Sequence, residues 1–211
     1  MKKGLTIMKR CAAAALLAMS CALSACGSDD DPQQPEQQAA PDTTSAPEGV
    51  SWRGLNGIQT PRSRACGQAT GDGGVPVGYE HTPQCGVVAA INGQAALATA
   101  KDREWPSVVN QVVAPGPGKD QWVQARSMQS ITKPVSDPAR FVGFTIPRYD
   151  DAGMQTILAV TWPDGKTTAQ VTQLVWQAGT WKLVLPTQDE APDAVEVKNL
   201  DKFTKFGAQQ S

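Results

Sequence analysis

The chain has 211 residues, with 19 Lys and Arg against 20 Asp and Glu and a formal net charge of −1. A protein that binds nucleic acid concentrates basic residues in a patch or stripe, and this balance offers no such excess. We therefore predict no nucleic-acid partner.

The first 25 residues carry the features of an export signal in their usual order: basic residues, an apolar run and a small-residue cleavage site. The basic residues are Lys2, Lys3, Lys9 and Arg10. The apolar run, residues 11–23, is short of the roughly 20 residues that a helix needs to cross a bilayer. We predict a signal peptide over residues 1–25. A start at Met8 would still leave two of the basic residues in place.

The segment Leu23-Ser24-Ala25-Cys26 resembles the lipobox of bacterial lipoproteins, with Leu three positions before the cysteine and small residues between them. The resemblance covers only the signal segment. It implies a diacylglyceryl group on the Cys26 thiol, cleavage before Cys26, and a protein held on the outer face of the cytoplasmic membrane, because two or three acyl chains anchor stably. An ordinary signal peptide and an uncleaved signal anchor are the alternatives.

Removal of residues 1–25 takes away four basic side chains and no acidic ones, which leaves 15 basic and 20 acidic residues. This mild acidity argues against attachment through a polybasic surface, so the lipid on Cys26 is the predicted membrane contact. Residues 26–50 are rich in Asp, Pro, Gln, Ser, Thr and Ala. Such a segment cannot bury enough apolar surface to offset the entropy of ordering. We predict a disordered tether there.

Two of the five cysteines, Cys66 and Cys85, remain once the signal peptide and the lipidated Cys26 are set aside. An even number of cysteines in an exported domain predicts a disulfide. The bond would close a loop of about 20 residues, which the chain-entropy model values at about 3 kcal/mol. Two free thiols or a metal site are the alternatives, and a metal would need further ligands. We predict neither a metal nor a cofactor.

Residues 51–211 have a length that suits one domain. A strand is expected near Trp52–Ile58, followed by an irregular loop rich in Gly, Pro and Arg. A helix should begin at Thr82 as N-cap with Pro83 in its first turn, and an apolar stripe continues to Ala100. Asn92-Gly93 predicts a kink or a close backbone approach in that helix. Two further helices are expected over residues 102–113 and 119–131.

β-Branched and aromatic residues recur between turn signals in the second half of the chain, which is typical of strands. We predict strands near residues 140–149, 154–162, 167–176 and 181–185. Pro163-Asp164-Gly165 and Ala178-Gly179 are the expected hairpin turns. Helices followed by a run of strands favour an α+β domain in which the helices pack on one face of a curved antiparallel sheet.

The runs Gly78-Tyr79-Glu80-His81-Thr82-Pro83-Gln84 and Trp176-Gln177-Ala178-Gly179-Thr180-Trp181-Lys182-Leu183 resemble an uncharacterised family of actinobacterial envelope and mobile-element proteins. The resemblance covers most of residues 51–190. Cys66 and Cys85 stand where that pattern has small residues, which implies a disulfide peculiar to this member. The order of elements also resembles the NTF2-like, cystatin-like cone of periplasmic secretion and conjugation components. This second likeness is architectural, and a shared fold does not establish function.

Catalytic residues are difficult to find. His81 is the only histidine, and no Gly-x-Ser-x-Gly segment accompanies it, so we expect it to bond the loop or pack beside Tyr79. Glu80, Asp150 and Asp151 are the carboxylates that could act as acid and base, but that chemistry needs a set separation. Residues 71–74 lack the Lys-Ser/Thr of a phosphate loop and are expected to form a turn.

The six tryptophans fall in apolar stripes or at hairpins, where core packing is the expected role, with Trp176 and Trp181 as a cross-strand pair. Two classes of function remain. We predict no catalytic residue and expect a binding or assembly module that contacts another envelope protein through the sheet or its open edge. A small enzyme with a pocket in the sheet concavity is the alternative. The sequence does not indicate an oligomeric state.

Replacing Cys26 with Ala is expected to release the protein from membranes or to leave it unprocessed, because the lipid acceptor is lost. Fractionation of cells, with the apparent mass followed on gels, measures both effects. Normal maturation together with unchanged membrane fractionation would contradict the assignment of Cys26.

Overall fold

The computed structural model describes residues 40–67 and 69–209, so the expected signal peptide, Cys26 and most of the tether lie outside the described residues. The helices are Pro83–Thr99 (α1), Trp105–Val112 (α2) and Pro117–Ser127 (α3). The strands are Val50–Leu55 (β1), Ile58–Ser63 (β2), Ala69–Thr70 (β3), Pro76–Val77 (β4), Arg140–Tyr149 (β5), Gly153–Thr161 (β6), Thr167–Gln177 (β7), Thr180–Val184 (β8), Val195–Glu196 (β9) and Thr204–Lys205 (β10). None of the helices in these described ranges has the length and apolarity to cross a membrane.

The first hairpin replaces the single strand that was expected over Trp52–Ile58. β1 and β2 pair antiparallel around Asn56-Gly57, whose φ angles are 47° and 101°. An Asn-Gly pair with positive φ at both positions is the preferred two-residue hairpin turn. The expected irregular loop is therefore wrong in its first part, which is β2. The remainder contains two short 3₁₀ turns and the small β3–β4 pair.

Helix α1 begins as the sequence predicts. The Thr82 side chain accepts a hydrogen bond from the backbone N–H of Cys85 at 3.2 Å, and Pro83 occupies the first turn. The expected apolar stripe is buried, and residues on the other sides of the helix are buried as well. One reason is that α1 contacts two separate layers, the β1–β2 hairpin and the larger sheet. A helix buried all round needs apolar or small residues all round.

The Asn92-Gly93 pair provides a close approach, and α1 runs through it as one continuous helix. A Cβ on Gly93 would lie 2.7 Å from Leu183 Cδ1 of β8, so only glycine lets the helix and the sheet approach this closely. Asn92 is fully buried and donates from Nδ2 to the carbonyl of Pro61 in β2 at 2.8 Å and to that of Val88 at 2.9 Å. The two neighbours thus attach α1 to both layers.

The second and third helices differ in their limits from the expected ones. α2 begins at Trp105, and Asp102 instead accepts hydrogen bonds from the Ile131 N–H at 2.8 Å and the Arg126 guanidinium at 3.0 Å. These bonds hold the turn before α2 against the chain that leaves α3. The Ile131 bond, followed by those from Ser130 and Arg126, lowers the pKa of Asp102. α3 begins at Pro117, two residues before the expected start.

The larger sheet confirms the α+β class, with three helices and a mostly antiparallel sheet. Its strand order is β10-β5-β6-β7-β8, with β9 paired to β7. The four expected strands are present with limits shifted by two residues at most, and both predicted hairpin turns occur. Gly165, Ala178 and Gly179 adopt φ of 83°, 53° and 72°, as tight hairpin turns require.

The two short C-terminal strands were not expected. β9 lies on one edge of the meander and β10 on the other, so residues 197–203 cross the sheet. Gly143, Ala159 and Ala169 stand side by side in the register, on the face away from the core. Ala159 is fully buried, and a Cβ on Gly143 would lie 3.2 Å from Phe203 Cβ. Small side chains therefore leave room for this crossing.

Residues before the expected boundary at residue 51 contact the folded domain. The carbonyls of Asp42, Thr44 and Glu48 accept side-chain hydrogen bonds from α1, β10 and β2 at 2.8, 2.6 and 2.7 Å respectively. Ala46 is buried. Residues 42–50, which we call the strap, thus belong to the packed unit, because polar contacts to three elements and a buried side chain offset the cost of ordering them.

Cys66 and Cys85 lie at disulfide-bonding distance, with their Cα atoms 5.3 Å apart. Cys66 ends a 3₁₀ turn that follows β2, and Cys85 lies in the first turn of α1. Both side chains are almost fully buried. The pair joins the loop after the hairpin to the beginning of the central helix.

Peptide mapping of protein from the cell envelope, without reduction, is expected to recover Cys66 and Cys85 in one linked fragment. Replacing both with Ser should lower the free energy of unfolding by about 3 kcal/mol, measured in urea, because the unfolded chain gains the freedom of an open loop. Two alkylatable thiols in that protein would contradict the linkage.

Replacing Asn92 with Ala should lower the free energy of unfolding by about 1–3 kcal/mol, because the buried Pro61 carbonyl loses its donor from α1. Gln94→Ala is the matched control on the same helix, since its bond to Thr172 is longer, at 3.3 Å, and only partly buried. Urea unfolding measures both variants. Equal losses would show that the Asn92 bond has no special role.

Candidate functional site

The only histidine lies in an aromatic cluster in front of α1. The His81 ring stacks on Trp176 with centroids 4.2 Å apart and lies 5.2 Å from Trp181. This differs from the expected position beside Tyr79, which is buried and donates its hydroxyl to the carbonyl of Pro76 at 3.1 Å. Within the described part of the chain, His81 Nε2 is buried without a hydrogen-bond partner. The ring therefore serves packing.

The predicted cross-strand pair of Trp176 and Trp181 is confirmed, with ring centroids 5.3 Å apart. Trp181 Nε1 donates to the carbonyl of Glu80 at 3.1 Å, and the Tyr149 hydroxyl donates to the carbonyl of His81 at 3.3 Å. Burial raises the pKa of Tyr149, and the nearby aspartates raise it further. The cluster fastens the segment before α1 to the sheet.

Two of the carboxylates considered for acid and base chemistry lie at turns of the backbone. Asp150 Oδ1 accepts the backbone N–H groups of Ala152 and Gly153, each at 2.9 Å, and so shapes the turn between β5 and β6. Glu80 lies beside Gly67. Across residues 40–67 and 69–209, no group of three or more His, Cys, Asp or Glu is placed to hold a metal ion.

A polar concavity lined by arginines is the stronger candidate for a binding site. The first hairpin and the loop after it enclose an open concavity of about 790 Å³, which we call the arginine cleft. Its lining is polar or glycine throughout: Gly49, Ser51, Arg53, Arg62, Ser63, Arg64, Gly67 and Thr70. Three arginines therefore line one space.

The hairpin register explains this convergence. Ser51 pairs with Arg62 and Arg53 pairs with Thr60, so alternation along each strand places Ser51, Arg53 and Arg62 on the same face. Arg53 and Arg62 are diagonal neighbours, within reach of long side chains. Arg64 follows in the 3₁₀ turn that ends at Cys66. The disulfide thus fixes the loop that carries the third arginine.

Arg62 is the most buried of the three arginines. It is half-buried and donates to the carbonyl of Gly74 at 2.8 Å, while its Nε is buried without a partner in the described chain. Burial lowers the pKa of Arg62; the Tyr79 phenol acts in the opposite direction, and the positive charge of Arg53 lowers it further. An arginine nevertheless stays charged at neutral pH.

The charges in the cleft are not neutralised within the described part of the chain. The ion pairs found there are Arg126–Asp102 and Arg148–Asp150, and neither involves a cleft residue. Glu80 lies at the rim beside Gly67, but it forms no ion pair within 4.0 Å with the three arginines. The cleft is therefore a concentrated positive site.

The cleft was missed from the sequence because residues 51–78 were interpreted as one strand and a loop. Asn56-Gly57 was the available signal, since this dipeptide between alternating residues predicts a hairpin. With that turn recognised, Arg53 and Arg62 fall on adjacent strands. The closure of the loop onto them by Cys66 still required the tertiary structure.

Comparison with known proteins gave one relationship. No curated protein and no solved structure matches the chain. A family model described as a domain of unknown function (DUF8175) matches residues 18–205, in agreement with the expected uncharacterised family. The match includes nearly all of the described fold. The chain therefore belongs to the DUF8175 family.

Proposed function

We propose that the protein is a lipid-anchored, non-catalytic binding module on the outer face of the cytoplasmic membrane, and that it engages an anionic component of the cell envelope through the arginine cleft. The observation that carries this proposal is the grouping of three guanidinium groups without a carboxylate partner in the described chain. An anionic partner would supply the missing counter-charge.

The charge balance supports an anionic partner. The chain after residue 25 has 15 basic and 20 acidic residues, so three arginines in one concavity contrast with the acidic average. Clefts lined by one sign of charge focus the field and raise the rate at which an opposite charge arrives. Like charges held as neighbours on a sheet also destabilise it. A bound anion would relieve that repulsion.

The position of the tether supports action near the membrane. Gly49 lies in the strap and Ser51 directly follows it, and both line the cleft. The strap is fastened to α1, β2 and β10 by hydrogen bonds. A lipid on Cys26 would therefore hold the cleft within tether length of the membrane. Tethering raises the effective concentration of nearby partners, so a weak intrinsic affinity suffices.

The cleft is a better candidate surface than the sheet edge that the sequence suggested. Ala114 N–H donates to the carbonyl of Leu183 at 2.8 Å, so part of the β8 edge is already occupied. At the other edge, β10 covers part of β5. We therefore assign partner binding to the arginine cleft.

We further propose that the meander curves around α1 in the manner of an NTF2-like cone. Helices preceding a four-stranded meander, and register shifts in β5 near Gly143 and Arg148, support this, because bulges bend a strand. In the described fold, α1 packs against that sheet. The small-enzyme alternative, which needs a pocket in the concavity, has less support for that reason.

Crosslinking in intact cells tests the proposal. A photo-crosslinking residue at Ser51, inside the cleft, should capture a reproducible envelope component, and Arg53→Ser with Arg64→Ser should abolish that capture. Both arginines are exposed, so the double variant is expected to fold. The exposed Gln173 on β7 is the control position for the crosslinker, and Arg103→Ser is the control substitution.

Capture that is equal from Ser51 and Gln173, or insensitive to the arginines, would contradict the assignment of the cleft. A turnover assay that loses activity when Glu80 or His81 is replaced, in protein that remains folded, would favour the enzyme alternative instead.

A further inference from the structure

We infer that the arginine cleft is a phosphate-binding site, and that its ligand is a larger envelope molecule carrying a phosphate group. This inference rests on the proposed function and names the chemistry of the anion. It follows from the number of free donors, their different directions, and the size and openness of the cleft.

The three arginines of the cleft have more hydrogen-bond donors than one carboxylate can accept from. Each guanidinium has five N–H donors in a planar fork, and one fork satisfies a carboxylate bidentately. Arg62 gives one donor to Gly74, whereas Arg53 and Arg64 make no side-chain hydrogen bond within the described chain. A phosphate monoester presents three acceptor oxygens that point apart and a charge of about −1.5 to −2 at neutral pH, so it can accept from several forks at once.

The three arginines are unequally buried in a way that suits such a ligand. Arg62 is half-buried, donates to the Gly74 carbonyl and has a buried Nε, and these contacts restrict its orientation before binding. Arg53 and Arg64 are exposed on the two flanking segments. Prior orientation of one fork reduces the entropy lost on binding, while the other two can close on the remaining oxygens.

The rim leaves room for a ligand larger than a free ion. Gly49 has φ of 59° and no neighbouring atom within 4 Å of a Cβ position, so this wall is open. A volume of about 790 Å³ lies in the range of sites that hold whole small molecules. The hydroxyls of Ser51 and Thr70 add neutral donors beside the arginines. A glycerol phosphate monoester, either in the headgroup of phosphatidic acid or at the end of an envelope polymer, has the required size and charge.

Calorimetric titration of the full chain in nonionic detergent, with glycerol 3-phosphate as probe at constant ionic strength, tests the inference. We expect saturable binding that weakens about tenfold in Arg53→Ser or in Arg64→Ser, as expected for loss of a charge-assisted bond. Arg62→Lys keeps the charge but loses the fork, and it should weaken binding too. Arg103→Ser should bind as the unaltered chain does. Thermal unfolding checks that each variant is folded.

A second arm distinguishes the source of the phosphate. Protein with Cys26→Ser, which has no lipid, is mixed with vesicles that contain phosphatidic acid or with vesicles of phosphatidylcholine alone, and the vesicles are sedimented. Arginine-dependent binding to the anionic vesicles alone identifies a lipid headgroup. Binding of glycerol 3-phosphate without vesicle binding identifies a soluble or polymeric phosphate. Either result supports a phosphate site.

Three results would overturn the inference. Equal affinity for glutarate at the same ionic strength would show a general anion site. Phosphate binding that appears only after Asp29, Asp30 and Asp31 are replaced by Ser would show that the chain's own tether occupies the cleft. Absence of phosphate binding would also overturn it. If arginine-dependent crosslinking in cells is retained in that case, the proposed function stands with a carboxylate-bearing partner. If the crosslinking is lost as well, the phosphate site and the proposed function are both contradicted.

Discussion

Helix α1 packs on the β1–β2 hairpin and on the four-stranded meander, and nearly every one of its residues is buried. Such a helix cannot present charges to either layer, so its sequence is restricted to small, apolar or uncharged side chains. Gly93 permits contact with β8, and Asn92 bonds to β2. The two layers have few direct contacts with each other, so their joint position depends on α1.

The arginine cleft depends on that arrangement at two points. Asn92 fixes β2, which carries Arg62, and the Cys66–Cys85 link fixes the loop that carries Arg64 to the first turn of α1. The aromatic cluster around His81 then holds the segment before α1 against the sheet. Buried contacts thereby hold the arginine cleft in place, as a preorganised binding site requires.

Arginines serve two different purposes in this fold. Arg126 is 4% exposed, pairs with Asp102 at 3.0 Å and donates to the Ala100 carbonyl at 2.8 Å, so its charge has a carboxylate partner within the described chain. The arginines of the cleft keep their charge without such a partner in the described chain. A group of like charges without counter-charges lowers the stability of a fold. The cleft arginines, unlike Arg126, form such a group, which favours a role in binding an anion.

The local elements could be predicted where the signal lies in adjacent residues. Thr82-Pro83 marked the start of α1 because a hydroxyl acceptor and a proline suit a helix N-terminus. Ala178-Gly179 marked a hairpin because glycine adopts positive φ without steric cost. Alternating apolar residues between such turns located the four strands of the meander, and the order of elements indicated the α+β class.

Other features had no local signal. β9 and β10 are two residues each and exist through pairing with strands far away in the chain, and the strap is ordered by bonds to α1, β2 and β10. The arginine cleft likewise needs two strands in register and a loop closed by a distant cysteine. The sequence by itself determined the α+β class, the beginning of α1 and the meander, because these follow from neighbouring residues. Only the tertiary structure decided which charges share one surface, because that depends on contacts between residues remote in the chain.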